Sequence, residues 1–156
     1  MKESPQTKRL EEILRSSKLA AGGFLGEDAR SISEIIENDL AIVSKSGFTK
    51  EQIAARMRDI TDKAISLLGN WTEIDQKLLA RVDEAKGFIV CPWPHTGRFA
   101  KRVTYVKFTG PPAAGSESQV IKWSDLNIHF IEVHGFFEGK GSNFRIEPKD
   151  LIKIIF

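Results

Sequence analysis

The chain has 156 residues, of which 41% are hydrophobic and 28% are charged, and its formal net charge at pH 7 is +2. This composition is typical of globular proteins and excludes the disordered and fibrous classes, while so small a net charge favours no class of partner. The one cysteine, Cys91, excludes an intrachain disulfide and fits a reducing compartment. No apolar run is long enough for a membrane span or a signal peptide, so we expect a cytoplasmic protein without a membrane partner.

Two amphipathic helices are predicted at the start of the chain. The first runs from about Pro5 to Leu19 and ends towards Gly22 and Gly23. The second begins after Ser31, which forms a capping box with Glu34, and Gly47 is placed to end it. Its apolar residues recur at helical spacing. They are Ile32, Ile35, Ile36, Leu40 and Val43.

A third helix is predicted directly afterwards. Thr49 and Gln52 form its capping box, Phe48 is placed to pack on Ile53, and Gly69 is placed to end it. Its apolar face consists of Ile53, Met57, Ile60, Ala64 and Leu67 or Leu68. A helical subregion 1–70 is therefore expected.

The subregion 71–156 is rich in aromatic residues and is predicted to contain strands. Leu78–Val82 and Phe88–Cys91 are predicted to form a hairpin in which Gly87 takes a positive φ, although the first of these arms also fits a helical spacing. Arg102–Phe108 is predicted to be a strand. The loop 110–115 is predicted to turn it back into a strand at Gln119–Trp123.

Two helices are predicted near the end of the chain. Ser124 caps a fourth helix, which carries Leu126, Phe130 and Val133 and ends at Gly135. Phe144–Ile146 is predicted to be a short strand, and Pro148 opens a last helix through Ile155. The sequence thus predicts one α+β domain over residues 1–156, in which three N-terminal helices pack on a small antiparallel sheet with two C-terminal helices.

Cys91, His95, His129 and His134 form the first candidate site. Cysteine and histidine are zinc ligands, and the spacings C-x3-H and H-x4-H are short enough for a shared metal. However, five residues along a regular helix place His129 and His134 about 140° apart and roughly 7.5 Å along the axis. The alternative is structural, with His95 packed in its loop, His129 paired with Glu132, and His134 favoured by the dipole at a helix C-terminus. Zinc is the one cofactor that these residues suggest, and the structural alternative is favoured.

The second candidate is a basic segment with interleaved aromatic residues. No acidic residue occurs between Glu84 and Glu117, and cations beside aromatic side chains are what single-stranded nucleic acid needs. The alternative is a solvated strand face, since strand alternation places Arg102 and Lys107 on opposite faces. The candidate polyanion-binding residues are Arg98, Lys101, Arg102, Lys107, Trp93 and Lys140.

The run Gly135–Ser142 is rich in glycine and includes Lys140, which would add charge at a phosphate site. Its spacing differs from that of a Walker A loop, and it follows a helix instead of a strand. A connecting loop is therefore favoured, with Phe136 and Phe137 anchoring it to the core.

The chain resembles a group of small bacterial proteins described as "cytosolic protein". The matching pieces include Cys91-Pro-Trp-Pro-His95, Trp123-Ser-Asp-Leu126 with His129, and His134-Gly-Phe-Phe with Gly139-Lys-Gly-Ser142, and the helical stretches 15–26 and 54–57 look similar too. The resemblance implies a bacterial cytosolic protein and no particular activity.

The sequence assigns no catalytic residue. Its patterns favour a non-catalytic binding or interaction protein, with a polyanion such as nucleic acid, or another protein, as its partner. The alternative is a metal-dependent enzyme that uses Cys91, His95, His129 and His134.

Overall fold

The computed structural model describes residues 5–16, 23–66, 69–95, 97–109 and 119–156. Its helices are α1 (Pro5–Arg15), α2 (Ile32–Lys45), α3 (Lys50–Ile65), α4 (Asp125–His129), a π-helix (Phe130–His134) that continues α4, and α5 (Pro148–Ile155). Its strands are β1 (Thr72–Asp75), β2 (Leu78–Val90), β3 (Arg98–Phe108) and β4 (Ile121–Ser124). The predicted α+β class is confirmed, with three N-terminal helices, an antiparallel sheet and C-terminal helices.

The sheet is an antiparallel meander in the order β1–β2–β3–β4. Strands β2 and β3 pair from Leu78, opposite Phe108, to Val90, opposite Arg98. Strand β4 pairs only with the segment 103–106 of β3, and β1 pairs only with the start of β2. The far end of the β2–β3 pair therefore projects beyond the other two strands, and the loop at that end carries Cys91 and His95.

The predicted hairpin between Leu78–Val82 and Phe88–Cys91 is wrong, because the single strand β2 covers nearly all of both segments. Gly87 does have a positive φ of 101°, but it lies in a bulge after Ala85. A bulge adds residues to one strand while pairing continues on both sides. The turn-like sequence around Gly87 therefore interrupts the register of β2 without reversing the chain.

Strand β1 was not predicted from the sequence. It forms a hairpin with β2, and in the turn the Lys77 backbone N–H donates to the Asp75 side chain at 2.9 Å. The predicted strand at Phe144–Ile146 is also wrong, because that segment makes no ladder: the Arg145 N–H donates to Ser142 O and the Ile146 N–H to Phe137 O. The predicted loop 110–115 lies outside the described residues.

The predicted helix starts of α2 and α3 are observed. Thr49 and Gln52 form a complete capping box. Ser31 accepts the Glu34 backbone N–H, but the Glu34 carboxylate contacts the Ser31 hydroxyl instead of its backbone, so this box is half formed. Helix α3 ends at Ile65, before Gly69. The predicted end of α1 near Gly22, and the predicted contacts of residues 67 and 68, lie outside the described residues.

The core consists of two apolar clusters. The first fills the space between α3, the sheet and α5, and it includes Met57, Trp123 and Leu151. The second lies between α1, α2 and α4, and it includes Leu14 and Phe130. Cys91 belongs to the second cluster, so the end of β2 is anchored in the core. No helix in the described part of the chain is both long and apolar enough to cross a membrane.

Candidate metal centre

Four potential metal ligands converge at the end of the β2–β3 pair. Cys91 follows β2, His95 lies in the loop before β3, His129 ends α4, and His134 ends the π-helix. One ligand atom from each residue lies within 4.8 Å of the other three. The Cys91 Sγ is 3.6 Å from the His134 Nε2, and the His95 Nε2 is 3.2 Å from the His134 Nε2 and 3.1 Å from the His129 Nε2.

The expectation that His129 and His134 diverge is wrong, because the helix that carries them is not regular. From Phe130 to His134 it is a π-helix, in which hydrogen bonds span five residues. Residues five apart are therefore about one turn apart, on the same side of the helix. The ring centroids of His129 and His134 are 5.2 Å apart.

Local sequence signals fix both ends of this helical segment. Ser124 and Asn127 form a capping box at its start, and Gly135 ends it in the left-handed conformation with φ 65°. A Cβ on Gly135 would lie 2.9 Å from the Leu40 Cδ1 of α2. The glycine thus permits close packing on α2. Of the apolar residues predicted for this helix, Leu126 and Phe130 are buried and Val133 is half exposed.

Aromatic rings hold two of the imidazoles in place. Trp93 stacks on His134 with a centroid distance of 3.9 Å and an interplanar angle of 12°, and it also contacts the rings of Phe130 and Phe136. The Phe99 ring lies 4.6 Å from that of His129. His95 is exposed, and its ring is nearly parallel to that of His134.

The surroundings of the two half-buried imidazoles, His129 and His134, favour their neutral form. Burial and the neighbouring His129 and His95 lower the pKa of His134 to about 4. Burial also lowers the pKa of His129, and proximity to His95 adds to this effect. Burial raises the pKa of the Cys91 thiol, which a hydrogen bond with the Trp93 backbone partly offsets. Neutral imidazole is the form of histidine that binds metals.

His129 and Glu132, which were predicted to pair with each other, contact other residues instead. The His129 Nε2 faces His95, while the Glu132 carboxylate accepts from Arg58 at 3.1 Å. The two residues contribute to the walls of the same cleft, which has a volume of about 380 Å³. Asp125, one helical turn before His129, also lines this cleft.

Asp125 stands out among the residues of the cleft. Its Oδ2 accepts from Arg102 at 3.0 Å, whereas its buried Oδ1 is the one side-chain atom in the described part of the chain that is buried without a hydrogen-bond partner. Burial raises the pKa of this carboxyl, and Arg102 opposes that shift. No sequence pattern pointed to Asp125, apart from its spacing of four residues from His129.

The candidate polyanion-binding residues do not form one surface. Arg102 is paired with Glu84 and Asp125, and the Lys107 ammonium lies 4.1 Å from the centroid of the Trp71 ring. Arg98 and Lys101 are exposed in the projecting part of β3. Trp93 packs against His134 and the apolar cluster, so its stacked face is occupied.

Lys140 belongs to a loop that packs against residues 24–28. Its backbone N–H donates to the Asp28 carboxylate at 3.1 Å, and its carbonyl accepts from Glu27. Phe136 and Phe137 are buried, as predicted for a connecting loop anchored to the core. The Lys140 amide is therefore used within the protein.

Comparison of the chain with protein families, with curated proteins and with solved structures gives no match.

Proposed function

We propose that the protein binds one zinc ion through Cys91, His95, His129 and His134. The observation that carries the proposal is the convergence of four donor atoms from three separate parts of the chain within 4.8 Å. The site lies at the edge of an apolar cluster, so its ligands are held by the core of the protein.

The donor distances support tetrahedral coordination. Zinc–nitrogen bonds of about 2.0–2.1 Å and zinc–sulfur bonds of about 2.3 Å give tetrahedral edges of roughly 3.3 Å between nitrogens and roughly 3.6 Å between nitrogen and sulfur. The separations of 3.1, 3.2 and 3.6 Å between neighbouring donors lie close to these values. These are three of the six separations between four donors, and the whole set lies within 4.8 Å, so one ion can reach all four donors once the wider separations close to tetrahedral values.

Hydrogen bonds alone account poorly for the cluster. An imidazole nitrogen carries either one hydrogen or one lone pair. However, the His95 Nε2 faces two imidazole nitrogens, and the His134 Nε2 faces one nitrogen and the Cys91 sulfur. The His95 Nε2 and the His134 Nε2 can therefore each make a good hydrogen bond to only one of their two neighbours. A central cation would satisfy all four donors at once.

The chemistry of the donors favours zinc among the common metals. Thiolate and imidazole are ligands of zinc and other transition metals, whereas magnesium and calcium prefer oxygen. Zinc also favours four-coordinate tetrahedral sites. Metal binding would displace the thiol proton of Cys91, because the thiolate is the form that coordinates.

A polyanion-binding function has less support. Arg102 is neutralised by two carboxylates, and the face of Trp93 is covered by His134. Polyanion binding stays a prediction. It would be refuted if immobilised single-stranded DNA and RNA did not retain the protein at about 50 mM salt, where nonspecific binding is strong.

Elemental analysis of the purified protein tests the proposal. After reconstitution and removal of free metal, we expect about one zinc per chain. The double variant Cys91→Ser, His95→Ala should lose the metal, because two donors are removed. Val133→Ala is the matched control, since Val133 lies beside His134 but is half exposed, and it should keep the metal. Zinc-free wild type, or a double variant that retains zinc, would refute the proposal.

A further inference from the structure

The four proposed ligands are not held equally. Cys91 is 6% exposed within an apolar cluster. His129 and His134 lie on one capped helical segment, and each contacts an aromatic ring. His95 is exposed and lies in the loop between β2 and β3. Of the four side chains, His95 is therefore the one that can move with the least loss of packing.

A cleft begins on the other side of His129. Its lining includes Arg58, Phe99, Arg102, Asp125, His129 and Glu132. Its volume of about 380 Å³ lies within the range of small-molecule sites. Gly97 lies next to both the cleft and the proposed metal site, because a Cβ on it would lie 3.3 Å from the Phe99 ring and 3.8 Å from the His95 ring. The Phe99 and His129 rings both line the cleft, and the centroid of the His129 ring is 4.9 Å from that of His95.

The cleft has the features of a binding site for a small polar molecule. Phe99 and Ile128 provide apolar wall, while the guanidinium groups of Arg58 and Arg102 have more N–H groups than their ion pairs with Glu132, Glu84 and Asp125 use. The Asp125 Oδ1 is buried without a hydrogen-bond partner. A ligand that donates an N–H or O–H would satisfy this acceptor once the wall of the cleft shifts enough to expose it.

Resting on the zinc site proposed above, we infer that His95 is an exchangeable ligand that yields its metal position to a small donor molecule bound in this cleft. The class of ligand is a small polar molecule with a metal-binding nitrogen or oxygen and an N–H or O–H donor for Asp125. The metal would then act on a bound molecule, as in sites with three protein ligands and one open position.

Cobalt substitution tests this inference, because the visible spectrum of Co²⁺ reports its coordination and a thiolate–cobalt band reports Cys91. Azide and imidazole are the probes of the metal position. In the wild type we expect a saturable change in the visible spectrum while the thiolate band remains. In His95→Ala we expect cobalt to stay bound, and both probes to bind at least about tenfold more tightly, because no histidine has to be displaced.

His134→Ala is the matched comparison, since it removes a ligand of the same type from the rigid helical segment. Its metal affinity should fall at least about tenfold below that of His95→Ala. Equal losses of metal affinity in His134→Ala and His95→Ala would show that His95 is not an exchangeable ligand. A wild-type cobalt spectrum that azide leaves unchanged would show the same. If the wild type gives no thiolate–cobalt band at all, the metal site itself fails, which is a different result.

The cleft is tested with acetohydroxamate, which carries metal-binding oxygens and an N–H group. Asp125→Asn should weaken acetohydroxamate by at least about threefold and leave azide binding unchanged, because azide is too small to need the cleft. If Asp125→Asn affects neither probe, or both equally, the incoming ligand does not lie against Asp125 and this part of the inference is wrong.

Discussion

At the scale of single residues, Glu138 is a buried acid whose charge depends on pH. Its carboxylate accepts from the Asn127 Nδ2 at 2.5 Å and from the Ser142 hydroxyl at 3.1 Å, and its backbone has a positive φ of 67°. Burial raises the pKa of Glu138 to about 7, although the two hydrogen bonds act against this shift. The folded protein therefore favours the protonated form.

The contribution of Glu138 to stability should consequently fall as the pH rises from about 4.5 towards about 7. In this window Glu138 binds more protons in the folded state than in the unfolded state, so its part of the free energy of unfolding decreases with pH, whereas the lowered pKa of His134 acts in the opposite direction. Glu138→Gln removes the Glu138 contribution, so the difference in stability between wild type and variant should change by on the order of 2–3 kcal/mol across this window. Urea unfolding of both proteins at about pH 5 and about pH 7.5 measures this difference, and parallel profiles would contradict it.

Trp93 is the residue whose role changed most between sequence and structure. It was a candidate platform for stacking on a base, and it stacks on His134 instead. A side chain that orients a metal ligand typically contributes about 10–100-fold in metal affinity. We expect Trp93→Ala to weaken zinc binding by this factor, and Trp93→Phe to weaken it much less, in competition with a chromogenic chelator. Trp71→Ala is the control, because the Trp71 ring contacts Lys107 and Arg81, which are not among the proposed zinc ligands. Equal zinc affinities of Trp93→Ala and Trp71→Ala would refute the role of Trp93.

At the scale of elements, the sequence predicted the ends of helices better than the course of strands. Thr49, Ser124 and Gly135 carry their signals within a few residues, and all three were identified correctly. The bulge at Gly87 uses the same residue types as a turn, so local sequence cannot distinguish them. Only the pairing of β2 with β3 along both segments decides between a bulge and a hairpin.

The candidate site shows the same limit. Its four residue types and short spacings were recognised in the sequence, but the assumption of a regular helix separated His129 from His134. The π-helix changes that result, and it ends at Gly135, which packs closely on Leu40 of α2, a contact between segments far apart in the sequence. The cleft beside His129 combines α3, β3 and α4, which no local pattern could bring together.

A buried network joins α3 to the sheet. The Thr61 hydroxyl accepts from the Trp123 indole N–H at 3.0 Å and lies 2.7 Å from the Thr104 hydroxyl. Thr61→Val keeps the volume but leaves both partners without this contact, and we expect a loss of about 1–3 kcal/mol in urea unfolding. Thr109→Val is the control, because its hydroxyl is exposed, and its effect should be within about 0.5 kcal/mol. Similar effects of the two variants would contradict the importance of the network.

At the scale of the whole molecule, each apolar cluster draws on both halves of the chain. The first combines Ile53 of α3 with Trp123 and Leu151, and the second combines Ile35 of α2 with Phe136. Arg145 also forms a buried ion pair with Asp39 of α2. The helices of the N-terminal part therefore obtain much of their burial from residues beyond position 70.

We accordingly predict that residues 1–70 do not fold alone. Helices of this length gain most of their stability from packing, and a segment of about 70 residues has a marginal core even when complete. Circular dichroism of the fragment should show low helicity and no cooperative melting, with the full chain as the reference. A cooperative transition with native-like helicity would show that the chain consists of two domains.

Zinc binding should also stabilise the whole protein. A ligand that binds only the folded state at about 100 times its dissociation constant adds about 2.7 kcal/mol to the free energy of unfolding. For a chain of this size, each kcal/mol corresponds to roughly 2–4 °C in the melting temperature. Removal of zinc by a chelator should therefore lower the melting temperature of the wild type, and the Cys91→Ser, His95→Ala variant should show no such response.

X-ray absorption spectroscopy at the zinc edge is the decisive test of the proposed zinc site, because it identifies the atoms bound to the metal. The proposed site predicts one sulfur at about 2.3 Å and three nitrogens at about 2.0–2.1 Å in the zinc-loaded protein. In Cys91→Ser the sulfur should disappear from the spectrum. A wild-type spectrum without sulfur, or with only oxygen and nitrogen neighbours at six-coordinate distances, would contradict a zinc site built from Cys91, His95, His129 and His134.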